Sequence, residues 1–154
     1  MSFGFWHSRQ DEEPIKVPAI GLEVRVCLPH SASGGELAII ETQNEPGFGP
    51  PLHRHSETEV FRVLEGRYLF EVDGRRFHAE AGDVVSVPGR AIHTFVNVAD
   101  TSSRQLVLFL PGLDAAAFFG ELAIATKGGV NKAALDAFGA KWGIEFLGPP
   151  LKKK

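Results

Sequence analysis

The sequence predicts an all-β protein, either a barrel or a double-sheet jelly roll, followed by two short C-terminal helices. About eight or nine short segments rich in β-branched and aromatic residues are separated by turns containing Gly, Pro, Asp and Asn, which is typical of that architecture. After Pro111-Gly112 the spacing of apolar residues changes to a helical period. A chain of 154 residues is long enough for one such domain with a hydrophobic core.

We divide the chain into four segments. Residues 1–20 mix aromatic and charged side chains, and we expect an arm without a core of its own. Residues 21–111 contain the predicted strands and form the barrel domain. Residues 112–150 form a helical extension, and residues 151–154 a solvated, disordered tail.

The predicted elements follow from alternation and turn signals. Besides the strand that carries the histidines described below, strands are predicted at 22–28, 37–43, 67–72, 75–78, 83–87, 91–98 and 104–110. Asp73-Gly74 is a strong two-residue hairpin signal, since both central positions of that turn favour positive φ.

Two helices are predicted beyond the barrel. Asp114 can cap the first, which ends at Gly128-Gly129, and Asn131 can cap the second, which ends at Gly143. We interpret the Phe and Trp residues of both helices as packing groups against the barrel rather than as a ligand site.

A candidate metal site lies on the strand that follows Pro50-Pro51. Alternate side chains of a strand share a face, so His53, His55 and Glu59 point the same way, with Phe61 and Val63 beyond them. Two imidazoles and a carboxylate on one face are metal ligands, and the apolar residues after them indicate the inside of a closed sheet.

A third imidazole lies downstream on another predicted strand. His93, Phe95 and Asn97 alternate on that strand and therefore share its inward face. His78 shares the face of Arg76, opposite Phe77, and is assigned to the surface rather than to the site. His7 and His30 are also interpreted as ordinary surface histidines.

The chain resembles the cupin superfamily on these two segments. The first cupin motif is Gly, five residues, His-x-His, three or four residues, Glu, six residues, Gly. It is matched in full by Gly47, His53, His55, Glu59 and Gly66.

The second motif is Gly, five residues, Pro-x-Gly-x-x-His, three residues, Asn, and Gly82, Pro88, His93 and Asn97 match it. One position departs from the pattern. Arg90 stands where the motif has glycine, at a position that can require positive φ.

The resemblance implies a cupin double-stranded β-helix with one divalent transition metal per chain, bound by His53, His55, Glu59 and His93. Nitrogen and carboxylate ligands suit Fe, Mn, Ni, Zn, Co or Cu, so the ligand set does not select among them. Gly143 to Pro150 is similar to the end of small bacterial cupins of the quercetin 2,3-dioxygenase type.

The site can perform either oxygen activation or Lewis-acid chemistry on an enol or carbonyl oxygen. Glu59 is the candidate catalytic residue, as a ligand or as a general base. A small enolic or aromatic substrate suits an apolar pocket. The candidate pocket residues are Phe48, Phe61, Tyr68, Phe70, Phe95 and Asn97.

Two function classes remain open. The first is a metal-dependent dioxygenase of the quercetinase-like kind, with isomerase or cyclase chemistry as a variant on the same site. The second is a non-catalytic cupin that binds a small molecule or a sugar. Fold does not decide between them.

Composition excludes several other partners. A net charge of −3 without a basic stripe excludes nucleic acid and anionic membranes as expected partners, and no stretch approaches a membrane span. Cys27 has no second cysteine with which to pair, and the first residues lack a signal-peptide pattern, so we expect a cytoplasmic protein.

Open sheet edges and the aromatic arm at Phe3 to Trp6 predict a two-fold homodimer through the N-terminal strands and arm.

Overall fold

The fold is known from a computed structural model, which describes residues 3–9 and 11–153. It confirms the all-β prediction with two helices after the barrel. The strands in these ranges are β1 (Ile15–Val17), β2 (Leu22–Leu28), β3 (Ala38–Asn44), β4 (Pro51–His55), β5 (Thr58–Glu65), β6 (Arg67–Val72), β7 (Arg75–Glu80), β8 (Val84–Val87), β9 (His93–Asn97), β10 (Ser103–Leu110) and β11 (Ile144–Pro150). The helices are α1 (Ala115–Ala125) and α2 (Lys132–Trp142), with short 3₁₀ turns at Pro18–Ile20 and His30–Ser33.

The strands form two antiparallel sheets, as a jelly roll requires. The six-stranded sheet has the order β1-β2-β3-β10-β5-β8, and the five-stranded sheet has the order β11-β4-β9-β6-β7. Inward side chains of both sheets form one core, in which Phe61, Tyr68 and Phe70 are the largest fully buried apolar residues. The metal-ligand candidates lie on the inner face of this barrel.

The turn and cap predictions agree with the structure. Asp73 and Gly74 both have positive φ, 47° and 84°, between β6 and β7. The Asp114 side chain accepts a hydrogen bond from the backbone of Ala117, and the Asn131 side chain accepts one from Ala134. Both helices therefore begin where a side chain satisfies a free backbone N–H.

Two strands lie outside the predicted set, and one predicted strand is divided. The strand expected to carry His53, His55 and Glu59 ends at His55, and β5, which carries Glu59, belongs to the other sheet. Ile15–Val17, which we placed in the arm, pairs with β2, and Val17 is fully buried. Ile144–Pro150 forms β11, which pairs with β4 although the two helices separate them from the barrel in sequence. The alternation of Ile144 and Phe146 was the available signal, and it is too short to identify a strand without its partner.

The aromatic arm remains largely exposed on this single chain. Phe5 is 96% exposed and Phe3 54% exposed, while Trp6 donates a hydrogen bond to the carbonyl of Cys27. The arm is thus anchored beside β2 with its rings in solvent. A homodimer interface through this arm stays a prediction.

The turn before β9 explains the altered glycine position of the second motif. Arg90 has a φ of 70°, so the position that carries glycine in the motif does take the left-handed conformation here, with an arginine in it. The backbone N–H of Arg90 donates to the carbonyl of His55. A Cβ on Gly89 would lie 2.3 Å from the carbonyl oxygen of Ser56, so this position has no room for a side chain.

We predict that Gly89→Ala destabilises the protein by roughly 1–3 kcal/mol, because the added methyl overlaps backbone that connects β4 to β5. Gly120→Ala is the matched control, since Gly120 lies inside α1 with open space at its Cβ position. Gly120→Ala should raise the free energy of unfolding by roughly 0.5–1 kcal/mol. Urea unfolding measures both, and equal effects would contradict the steric account.

Candidate metal centre

Four side chains from three strands meet near one end of the barrel. His53 and His55 lie on β4 and His93 on β9, and His53 is paired directly opposite His93 in the five-stranded sheet. Glu59 lies on β5 in the facing six-stranded sheet. The centre therefore joins the two sheets across the barrel interior.

All three imidazoles are oriented by the same kind of backbone contact. Nδ1 of His53 lies 2.7 Å from the carbonyl oxygen of Pro51, and Nδ1 of His93 lies 2.8 Å from that of Ala91. Nδ1 of His55 lies 3.1 Å from the carbonyl oxygen of Glu57. Since a carbonyl can only accept, each Nδ1 carries the proton and donates it.

This tautomer leaves Nε2 of each ring as the atom available to a metal. Nε2 of His55 lies 2.6 Å from Oε1 of Glu59, and Nε2 of His93 lies 3.1 Å from the same oxygen. One ligand atom from each of the four residues lies within 4.8 Å of the other three. Atoms that each sit ~2.1 Å from one ion are at most ~4.2 Å apart, so small side-chain rotations complete the site.

The donor set fits a divalent transition metal. Three neutral imidazoles and one carboxylate are borderline ligands of the type that iron, manganese, nickel, cobalt, copper and zinc accept. All four residues are buried, which excludes most of the water that would otherwise compete for the ion. This buried three-histidine, one-glutamate site can hold a metal ion, and its ligand types do not specify which.

Burial and mutual contact shift the protonation of these groups in the metal-free protein. Burial lowers the pKa of His53 to about 3, and the neighbouring charge of His93 acts in the same direction. Burial alone would raise the pKa of Glu59, but the close contacts of its carboxylate with the imidazoles of His55 and His93 hold that pKa well below its ordinary value. Burial alone would lower the pKa of His55, but its hydrogen bond to Glu59 raises it.

An apolar cavity of about 200 Å³ opens from the metal-ligand cluster into the barrel. Its walls include Ile40, Phe61, Phe95, Val107 and Phe109, and the ligands His53, His55 and Glu59 lie on its surface. The cavity thus provides the dry, mostly apolar surroundings that small-molecule sites commonly have.

The structure separates the six residues predicted to form the pocket. Phe61 and Phe95 line the cavity. Tyr68 and Asn97 are fully buried, and both side chains donate hydrogen bonds to Asn44. Phe70 lies behind the cavity wall, where it packs against Phe61 and Phe95. Phe48 is 39% exposed, and its ring packs over Gly21.

The C-terminal segments supply a roof that the sequence did not reveal. Side chains of α1, α2 and β11 line the cavity, among them Phe118, Phe119, Leu122, Phe138, Trp142, Ile144 and Phe146. The rings of Phe118, Phe138 and Trp142 also pack on one another, with centroids 5.0–5.3 Å apart around Phe118. They are packing groups, as predicted, and in addition they shape the cavity.

The remaining histidines lie apart from the centre. His78 and His7 are exposed and His30 is half-buried in the turn after β2. Within the described ranges, His53, His55, Glu59 and His93 are the group that could hold an ion. Neither described helix has the length and hydropathy needed to cross a lipid bilayer.

The lowered pKa of His53 predicts an acid sensitivity of the metal-free protein. Between pH 6.5 and about 3 the unfolded chain binds a proton at residue 53 and the folded chain does not. Stability should therefore fall as pH falls through this window, by up to ~1.4 kcal/mol per pH unit from this residue. The folded pKa of His55 is raised, so His55 makes stability rise as pH falls. Because the two contributions overlap in wild type, the effect of His53 has to be isolated by substituting it.

His53→Gln should make the fall in stability between pH 6.5 and 4.5 shallower than in wild type, as measured by urea unfolding at several pH values. His78→Gln on exposed β7 is the control and should keep the wild-type slope. A slope that His53→Gln leaves unchanged would show that this imidazole is not kept neutral by burial.

Comparison with known proteins agrees with this geometry. Residues 41–109 match the family model described as Cupin domain. An uncharacterised protein of Methanocaldococcus jannaschii is 26% identical over 84 residues, which cover 54% of this chain and 67% of that protein.

Two solved structures show the same fold. An RmlC-like cupin from Shewanella frigidimarina has a TM-score of 0.63 at 23% identity, covering 75% of this chain and 99% of its own. A protein named as a predicted oxalate decarboxylase from Thermotoga maritima has a TM-score of 0.63 at 23% identity, covering 69% of this chain and 99% of its own. Residues 41–109 therefore resemble a cupin domain, and the chain has the cupin jelly-roll fold.

Proposed function

We propose that this protein binds one divalent transition metal through His53, His55, Glu59 and His93 and acts as a metal-dependent dioxygenase on a small enolic or aromatic substrate. The observation that carries the proposal is the convergence of three tautomer-fixed Nε2 atoms and one carboxylate at the mouth of an apolar cavity. The quercetinase-like resemblance of the sequence supports the choice of reaction.

The ligand number leaves room for substrate. His53, His55, Glu59 and His93 would hold the ion with four ligand atoms, fewer than the six that many divalent transition metals accept, and such an ion would supply oxygen activation or Lewis-acid chemistry on an enolic oxygen. The surrounding wall of Phe61, Phe95 and Phe146 excludes water and offers faces for a planar ring. A substrate with an adjacent pair of oxygens and an apolar body fits both features.

Glu59 is the residue with two roles to distinguish. Its Oε1 lies 2.6 Å from Nε2 of His55 and 3.1 Å from Nε2 of His93, and its folded pKa is low, so it is ionised at neutral pH. An ionised, buried carboxylate beside the cavity can coordinate a metal or take a proton from a bound enol.

The alternative is a non-catalytic cupin in which the same ligands only hold a small molecule or a sugar. Isomerase or cyclase chemistry on an enol is a variant of the catalytic proposal, since it uses the same ligands and the same base. Oxygen uptake over a panel of enols and catechols, with metal-reconstituted protein, separates these possibilities. Consumption of oxygen supports the dioxygenase, product without oxygen uptake supports an isomerase or cyclase, and binding without product supports the binder.

His55→Ala should reduce the apparent affinity for a divalent metal by at least about tenfold, because it removes a buried ligand at the centre of the cluster. His78→Ala on exposed β7 is the control and should leave metal affinity unchanged. Elemental analysis after reconstitution with iron, manganese, nickel and zinc should give about one equivalent per wild-type chain. Less than about a tenth of an equivalent with every metal, or equal effects of the two substitutions, would contradict the assignment.

Glu59→Gln tests the catalytic role. The substitution keeps the shape of the side chain and one coordinating oxygen but removes most of its basicity. If Glu59 is the general base, metal content should fall modestly, substrate binding should survive and turnover should fall by ~10²–10⁴. Activity that falls only in proportion to bound metal would assign Glu59 to coordination alone, so metal content and product must be measured on the same samples.

A further inference from the structure

Three buried polar atoms deep in the barrel have no hydrogen-bond partner within the described residues. They are Oγ1 of Thr42 on β3 and both Oε1 and Nε2 of Gln105 on β10. Gln105 is fully buried and Thr42 is 6% exposed. Folded proteins rarely leave such groups unpaired, because burial removes their hydrogen bonds to water without replacement.

Strand register places this pair far from the metal ligands on the same inner face. On β10, Phe109 is opposite Glu59, and Gln105 is opposite both Val63 on β5 and Thr42 on β3. Gln105 thus lies four residues along the strand from the row that contains Glu59. At ~3.3 Å per residue this is a separation of ~13 Å along the strands.

The cavity connects the two regions. Thr42 lines it together with Ile40 and Val107, whose row lies between the Glu59 row and the Thr42 row. One end of the cavity is therefore bounded by the metal-ligand cluster, the middle is apolar, and the inner end has the Thr42 side chain. Gln105 is paired opposite Thr42 on the neighbouring strand and lies outside the cavity wall.

Neighbouring polar groups do not pair with Oγ1 of Thr42. The Tyr68 hydroxyl donates to Oδ1 of Asn44 at 2.8 Å and lies beside the Gln105 carboxamide, and Nδ2 of Asn97 donates to the backbone carbonyls of Asn44 and Thr101. Thr42 lines the cavity whereas Gln105 does not, so the cavity can supply a partner to Oγ1 of Thr42.

We propose that Thr42 forms a polar anchor, with Gln105 behind it on the neighbouring strand, that determines substrate specificity at the end opposite the metal. The inference rests on the proposed function, because it assumes a substrate that binds the metal at its other end. The substrate class is an elongated molecule with a metal-chelating oxygen pair, an apolar or aromatic middle and a terminal hydroxyl or carbonyl.

The anchor selects a neutral group. A threonine hydroxyl can donate or accept by rotation about χ1, and a carboxamide offers a donor and an acceptor. Neither carries a charge to offset the burial of an anion or a cation, which is costly in such surroundings. A substrate hydroxyl or carbonyl can pair with Oγ1 of Thr42, whereas a methyl group of the same size cannot.

The test compares two catechols on zinc-loaded protein, since zinc binds the proposed ligands and has no redox chemistry. The probes are 4-(3-hydroxypropyl)catechol and 4-butylcatechol, which have equal numbers of heavy atoms and differ in the terminal group. Isothermal titration gives both dissociation constants on wild type, Thr42→Val and Gln105→Met. Thr42→Val should shift their ratio by roughly tenfold against the hydroxypropyl compound, as expected for one lost hydrogen bond. Gln105→Met should shift it less, because Gln105 lies behind Thr42 and not in the cavity wall.

A ratio that both substitutions leave unchanged would overturn the anchor while leaving the metal site and the proposed reaction intact. Failure of the dioxygenase proposal shows itself separately, as an absence of product from the metal-loaded enzyme. Binding of the two catechols to the zinc form does not depend on turnover.

Unfolding of the metal-free protein supplies a second measurement that needs no ligand. Thr42→Val should hold or raise the urea midpoint, since it removes a hydroxyl without a partner. Thr94→Val is the matched control: Thr94 is also buried, but its Oγ1 donates to the carbonyl of Pro50 at 2.7 Å, so its loss should lower the midpoint. If neither catechol binds the zinc form, the proposed chelation fails and this comparison decides the anchor. A midpoint lowered as much by Thr42→Val as by Thr94→Val would overturn it.

Discussion

The hydrogen bond from Nδ1 of each site histidine to a backbone carbonyl is the interaction on which the metal centre depends. It fixes the tautomer and the ring orientation of His53, His55 and His93 through groups that belong to the strands and their turns. Each Nε2 is consequently presented to Glu59, which comes from the facing sheet. The strand scaffold thus prepares the ligand geometry before an ion binds, which lowers the cost of ordering the site.

The C-terminal extension gives this barrel its own cavity. β11 pairs with β4, so the strand that carries His53 and His55 is held by residues nearly a hundred positions later in sequence. Helices α1 and α2 then cover the cavity with aromatic side chains. Metal ligands at one end and the unpartnered hydroxyl of Thr42 at the other give the cavity a polar group at both ends of an apolar middle.

Strand alternation explains what could be predicted from the sequence and what could not. A period of two assigns a side chain to a face, and it correctly assigns His53 and His55 to one face of β4 and His93 to the inner face of β9. Glu59 is predicted on the same strand as His53 and His55, but the structure ends that strand at His55 and places Glu59 on β5 in the facing sheet. Glu59 still reaches the three imidazoles, because the two sheets face each other across the barrel interior. Alternation does not determine how far along the barrel an inward residue lies. It therefore predicts that Tyr68 and Asn97 line the pocket, whereas both are fully buried behind its wall. The pairing of β11 with β4 and the aromatic roof depend on contacts distant in sequence, which local patterns do not encode.

The central claim is that four side chains from two sheets bind one metal through three Nε2 atoms and one carboxylate. Anomalous diffraction at the absorption edge of the bound metal, from crystals of reconstituted protein, tests it most directly. The account predicts one peak per chain, ~2.0–2.2 Å from Nε2 of His53, His55 and His93 and from a carboxylate oxygen of Glu59. A peak bound through Nδ1 of these rings, or located at other residues, would contradict it.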